Sequence, residues 1–169
     1  MDQIETARAL EKHDAPPHWA FVESKDEFSG KTSKYAILES ANRQKVGLFN
    51  DYVHATLVAW DTKNKSDDYM QGFIKFSDNT IPNLRTAYTE HCPYDQCDME
   101  VKFDDGAIRK YEMVSNRDGS AIGYMRSADF FKRAFVAKKI EVRVHFFQRG
   151  AGTFVFKNDG VFSFGASRK

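Results

Sequence analysis

SADFFKRAFVAKKIEVRVHFF, residues 127–147, changes its periodicity half-way along, and that change decides the fold. In its first half Phe130, Phe131, Ala134 and Phe135 recur at helical spacing and share one stripe. Ser127 stands where an N-cap belongs, and Lys138 and Lys139 fall where basic side chains suit the negative end of a helix. A helix is therefore predicted over 127–139. In the second half the period drops to two. Ile140, Val142, Val144 and Phe146 alternate with Glu141, Arg143 and His145, which describes a strand with one face on a core and one in water.

The same alternation spreads in both directions. GTFVFK and VFSFG follow as two further strands, with NDG (158–160) as the turn between them. Upstream, MEVKF (99–103) alternates into the tight-turn signal DDG (104–106), where aspartate supports a turn by local hydrogen bonding, and AIRKYEMV carries the chain on. WAFVES (19–24), YAILES (35–40), YVHATLVAW (52–60) and YMQGFIKFS (69–77) supply earlier strands, with Met70, Gly72, Ile74 and Phe76 on one face of the last. Residues 78–90 read as irregular. Asp2 and Glu5 have capping-box spacing ahead of Ile4, Ala7 and Leu10, so a short N-terminal helix is expected before Pro16 and Pro17. The sum is a mainly β (α+β) fold: an antiparallel β-sandwich or rolled sheet with an N-terminal helix and one helix near 127–139. At 169 residues the chain reads as one domain, 1–169, with the N-terminal helix in 1–15 and a β-rich core over 19–165.

Composition narrows the function classes. Twenty-five basic and 24 acidic side chains leave a net charge of +1, too little for a global field that draws in nucleic acid or an anionic membrane. No apolar run approaches the ~18 residues that a membrane span needs. The N-terminus lacks the basic and apolar regions of a secretory signal, which predicts a cytoplasmic protein, or a periplasmic one where an export signal has been removed. Aromatic residues are abundant, with 15 Phe, 7 Tyr and 2 Trp. Such residues dominate cores and interfaces alike.

Chemistry-bearing motifs are sparse. Cys92 and Cys97 have four residues between them and no second cysteine pair to complete a zinc site, so they read as a disulfide or as two free thiols. SGKTS (29–33) imitates the end of a phosphate-binding loop, but Lys25 occupies the position of the required first glycine. Asp104 and Asp105 suit a turn better than paired acid–base catalysis. RGAGTF (149–154) sits between strands, where its glycines mark a turn or bulge. No catalytic residue, cofactor or metal is therefore assigned. Lys132, Arg133, Lys138, Lys139, Arg143 and Arg149 gather in one region with aromatics between them, a candidate basic patch for nucleic acid. Tyr52, Tyr69, Tyr88 and Tyr94 stand near turns as candidate partner contacts.

The segments DEFSGK, YAILESAN, CPYDQCDMEVKFDDG and SADFFKRAFVAKKIEVRVHFFQRGAGTFVFKNDGV resemble, over about residues 19–162, a bacterial and mobile-element family of β-rich proteins distantly similar to type VI secretion-associated VasI-like proteins. The resemblance rests on turn and core signatures and carries over no catalytic residues. Its relatives are generally exported, lipid-anchored or carried on mobile elements, and this chain departs from them in showing no export signal. The resemblance implies a phage- or mobile-element-encoded inhibitor or a secretion accessory factor. The expectation is a non-catalytic protein-binding module acting by surface occlusion. A nucleic-acid-binding protein using residues 132–149, and a small hydrolase with a dispersed site, are the alternatives.

Overall fold

The computed structural model describes residues 15–45, 52–62, 70–77, 96–115, 122–146 and 150–165. Ten strands and one helix lie in them: β1 Ala20–Lys25, β2 Thr32–Glu39, β3 Gln44–Lys45, β4 Tyr52–Trp60, β5 Gly72–Ser77, β6 Gln96–Phe103, β7 Arg109–Ser115, β8 Ile122–Met125, α1 Ala128–Val136, β9 Lys139–Phe146 and β10 Gly150–Lys157. All strand pairs are antiparallel, in the order β1-β2-β4-β5-β8-β7-β6-β9-β10, with β3 also paired to β4. The mainly β, antiparallel reading therefore holds.

The sheet is rolled, and one asparagine joins its two ends. After Glu39 the chain leaves its pairing with β4 for a few residues before β3 resumes it. In that bulge the Ala41 N–H donates to the Val155 carbonyl of β10 at 2.7 Å. The Asn42 amide donates to the Thr153 carbonyl at 2.9 Å, and its oxygen accepts from the Val155 N–H at 2.7 Å. Backbone groups that an edge strand would leave open are thus taken up by a side chain. Ser40 fixes the bulge from beneath, accepting from the Ala55 N–H and donating to the Asn42 carbonyl.

Inside the roll, every second residue meets the core. Leu38, Leu57, Ile74, Met99, Met113, Met125, Ile140, Val142, Phe154 and Phe156 are almost wholly buried. Helix α1 adds its apolar stripe to this core. Phe130 packs against Phe103 and Tyr111, and Phe131 lies over Gly72. A Cβ at Gly72 would collide with the Val58 carbonyl and the Phe131 ring, so glycine is what lets the helix approach β5. Trp19 closes the same end, its indole N–H donating to the Ala134 carbonyl at 3.1 Å.

Four local expectations are corrected. The helix ends at Val136 rather than reaching 139, and Ala137 is already extended. The cause is Asp104, whose carboxylate accepts the N–H groups of both Lys138 and Lys139, at 2.9 and 3.0 Å, and so starts β9. Asp104 does sit in a turn, with φ of 52°, but its side chain acts over 34 residues of sequence rather than locally. VFSFG forms no strand. Phe162 and Phe164 instead join Trp19, Phe21 and Phe135 in an aromatic cluster. Asn158 is not a surface turn residue either: it is buried, and its amide donates to the Phe135 and Ala137 carbonyls at the helix end. The expected N-terminal helix (1–15), apart from Ala15, and the 78–90 stretch lie outside the described residues.

Candidate functional site

Because the inner face is filled, binding chemistry has to come from the outer face, and this divides into two halves of opposite character. On β6 and β9 the outward positions are charged. Arg143 is hydrogen-bonded to Glu100, which accepts from its guanidinium, and His145 lies 3.9 Å from the same carboxylate. Glu141 stands 3.6 Å from Lys139 and 4.0 Å from Lys102. Register makes these pairs, since Glu100 faces Arg143 and Lys102 faces Glu141 across the strands. The Arg143 guanidinium holds the Glu100 carboxyl below its ordinary range.

On β2, β4, β5 and β8 the outward positions are mostly apolar. Tyr35 pairs with Trp60 across β2 and β4, Ile37 with Val58, Val58 with Phe73, and Phe73 with Tyr124 on β8. Trp60, Phe73 and Tyr124 touch one another, with ring centroids 5.5 to 6.4 Å apart. Tyr35, Ile37, Val58, Trp60 and Phe73, with Glu39, His54, Thr56 and Lys75 at the polar end, line an open depression of about 450 Å³. Its rings are half-buried: they are neither core nor fully solvated. The two tryptophans divide accordingly, Trp19 inside and Trp60 on this face.

Of the residues singled out in the sequence, none that is described lines this depression. Tyr52 begins β4 next to β3, half-buried, whereas Tyr69, Tyr88 and Tyr94 lie outside the described residues. In the basic region, Arg133 is held by Asp129 at 3.0 Å, Lys139 by Glu141 and Arg143 by Glu100. Lys132 and Lys138 are exposed, and Arg149 lies outside the described residues. Half of the proposed patch thus already faces carboxylates. Cys97 is in β6 opposite Met113, and Cys92 and any bond between the two lie outside the described residues. SGKTS occupies the β1–β2 hairpin, not a strand-to-helix loop.

Sequence reasoning missed the aromatic face itself. Its signal was the loss of alternation in LVAW, where Leu57, Val58 and Ala59 are all buried and Trp60 follows. Apolar residues on both parities of a strand mean that both of its faces are covered or are meant to be.

One further cluster ties helix to sheet rather than forming a site. The Tyr111 hydroxyl donates to Asp129 at 2.7 Å, and Arg133 donates to the same carboxylate. Burial, then the Asp129 hydrogen bond, pushes the Tyr111 hydroxyl up to about 12. The Tyr111 and Arg133 hydrogen bonds hold the Asp129 carboxyl below its ordinary range. Among the described residues, no three His, Cys, Asp or Glu side chains are grouped to hold a metal, and no helix is long and apolar enough to cross a membrane. No family model, no curated protein and no solved structure matches this chain.

Proposed function

We propose that the protein is a binding module that engages a protein partner through the outer face of β2, β4, β5 and β8. The observation that carries this reading is the contact cluster of Trp60, Phe73 and Tyr124, left half-exposed on a sheet whose other face already supplies the core. Aromatic side chains bury much area at small entropic cost and are frequent interface anchors. The polar row Glu39, Thr56 and Lys75 beside them supplies orientation without making the surface basic. Occlusion of the partner's own surface is the mode of action that fits such a face. The pairing of Arg133, Lys139 and Arg143 with carboxylates supports a protein partner over nucleic acid.

Affinity purification from host cells, followed by mass spectrometry, tests this when three baits are compared. A partner should be captured by the wild-type chain, lost with Trp60→Ala combined with Tyr124→Ala, and retained with Lys132→Glu combined with Lys138→Glu. Capture that survives the aromatic changes but disappears with the lysine changes or after nuclease treatment would replace this reading with the nucleic-acid one.

A further inference from the structure

The two ends of the strand order differ in how their edges are closed. On β10 the Val155 N–H and carbonyl and the Thr153 carbonyl are taken up by Asn42 and Ala41. At the other end, β1 has β2 as its one strand neighbour among the described residues. The hairpin hydrogen bonds fix which way the backbone groups of β1 point. The Asp26 N–H donates to the Lys31 carbonyl at 2.8 Å, so these two residues are a bonded pair, and bonding alternates from there along the ladder. Ser24 with Ser33 and Val22 with Tyr35 are then bonded pairs, whereas Lys25 with Thr32, Glu23 with Lys34 and Phe21 with Ala36 are not. The Lys34 carbonyl agrees with this phase, since it accepts from the Asp61 N–H, just past the end of β4, at 3.0 Å. The N–H and C=O groups of Phe21, Glu23 and Lys25 therefore point away from the sheet, and among the described residues no backbone or side-chain group bonds to them.

The side chains along this edge carry a charge pattern. Glu23, Ser24 and Lys25 are exposed, and Phe21 and Val22 are half-buried. Glu23 faces Lys34 across the hairpin, yet among the described residues neither Glu23 nor Lys25 is held in an ion pair, in contrast to Glu100 and Glu141 on the charged face. Farther back the edge turns apolar. Val22 stands beside Tyr35, and Phe21 lies against Phe164 with ring centroids 6.3 Å apart.

An edge whose donors and acceptors stand open in strand register accepts an extended segment as one more strand. We propose that β1 takes such a segment from a foreign protein, antiparallel like every other pair in this sheet, and that the segment's charges are the reverse of those on β1. Read from its N-terminal end, the segment carries an acidic residue opposite Lys25, any residue opposite Ser24, a basic residue opposite Glu23, and apolar residues opposite Val22 and Phe21. The open groups of Lys25, Glu23 and Phe21 supply backbone hydrogen bonds, and the side chains set the register. A slip of one place breaks the bonded pairs, and a slip of two brings like charges face to face. A second copy of this chain fits less well. Its own Glu23, Ser24 and Lys25 satisfy the charge rule, but Asp26 and Glu27 follow, which would set carboxylates against Val22 and Phe21 where the hairpin is already turning back. This edge is a different surface from the aromatic face, and its occupation does not require that face to bind.

Nuclear magnetic resonance titration of the full chain tests it with two synthetic peptides, capped at both ends and flanked by threonines. One has the core ETKVV and the other the reversed core KTEVV. The ETKVV peptide should shift the backbone amides of Phe21, Glu23 and Lys25 and slow their hydrogen exchange. The KTEVV peptide should bind roughly tenfold more weakly. In Glu23→Lys combined with Lys25→Glu that preference should invert, with the far-ultraviolet circular dichroism unchanged because both side chains are exposed. Silent β1 amides, equal binding of the two peptides, or a preference that does not invert overturns the proposal. Movement of the same amides when the chain alone is concentrated assigns the edge to a second copy, and overturns it as well. Peptide shifts confined to Tyr35, Trp60, Phe73 and Tyr124 overturn the edge and leave the binding face standing. A preference that inverts at β1, with partner capture that survives Trp60→Ala combined with Tyr124→Ala, keeps the edge and removes the face.

Discussion

The outer faces of β6–β9 and of β2–β4–β5–β8 belong to one sheet and obey one alternation, yet they answer water in opposite ways. On β6 and β9 charges meet counter-charges, Glu100 with Arg143 and Glu141 with Lys102 across the ladder and Glu141 with Lys139 along its own strand. On β4, β5 and β8 the rings of Trp60, Phe73 and Tyr124 contact one another in tilted and stacked pairs and stay partly exposed to water. A strand position facing solvent costs little when it carries a paired charge and forgoes burial when it carries a tryptophan. The contrast is what supports the proposal that the aromatic half is the one a partner covers.

The comparison can be broken at the core that both faces share. Phe130→Ala removes a ring at 0% exposure beneath α1, and should cost about 3–5 kcal/mol of stability. In guanidinium denaturation, one lowered midpoint common to all probes is expected. A change confined to α1 would mean that the two halves do not unfold as one unit.

It can be split, next, at the joint. Asn42→Ala strips the amide that links the charged half at β10 to the aromatic half at the β2–β3 bulge. Leaving the Thr153 carbonyl and Val155 N–H without that partner should cost about 1–3 kcal/mol. Hydrogen exchange should speed up at Val155 and Ala41, and little at β6. Unchanged exchange at both amides would show that the roll does not depend on this closure.

A smaller effect lies at alkaline pH. The Tyr111 hydroxyl is raised to about 12, so the folded state favours its protonated form. That stabilisation is complete below the ordinary tyrosine value of about 10 and is lost as pH climbs towards 12. Tyr111→Phe should cost about 1 kcal/mol at neutral pH through the lost hydrogen bond to Asp129. It should also flatten the alkaline limb of stability against pH. An alkaline limb identical in the variant would assign it to other groups.

The smallest change is expected on the charged face. The Arg143 hydrogen bond lowers the Glu100 pKa, so its contribution is present above the ordinary carboxylate range and fades only as pH falls below it. The pair is exposed and screened, so Glu100→Gln should barely move the thermal midpoint at neutral pH, and the difference should vanish at high salt. Partner capture should be unaffected. A variant that loses the partner here would reverse the roles of the two faces.

How far the sequence could be read depended on whether a signal is local. Alternation in IEVRVHFF and MEVKF, and the Ser127 cap, are visible in short windows because pleat and helix periods act between near neighbours. Asn42, Asp104 and Asn158 are not, since their partners lie 21 to 113 residues away, and a polar residue in a loop looks the same with or without them. The aromatic face fails for a related reason. Tyr35, Trp60, Phe73 and Tyr124 come from four strands, and only register sets them side by side. Of the tyrosines singled out near turns, only Tyr52 is among the described residues, and it does not line the depression.

Site-specific photocrosslinking in cells compares the two faces most directly. A photoreactive phenylalanine derivative in place of Phe73 samples the aromatic face, and the same group in place of Glu141 samples the charged one. The account predicts covalent adducts of defined mass from position 73 and none from position 141. Adducts from position 141 with none from position 73 would contradict it.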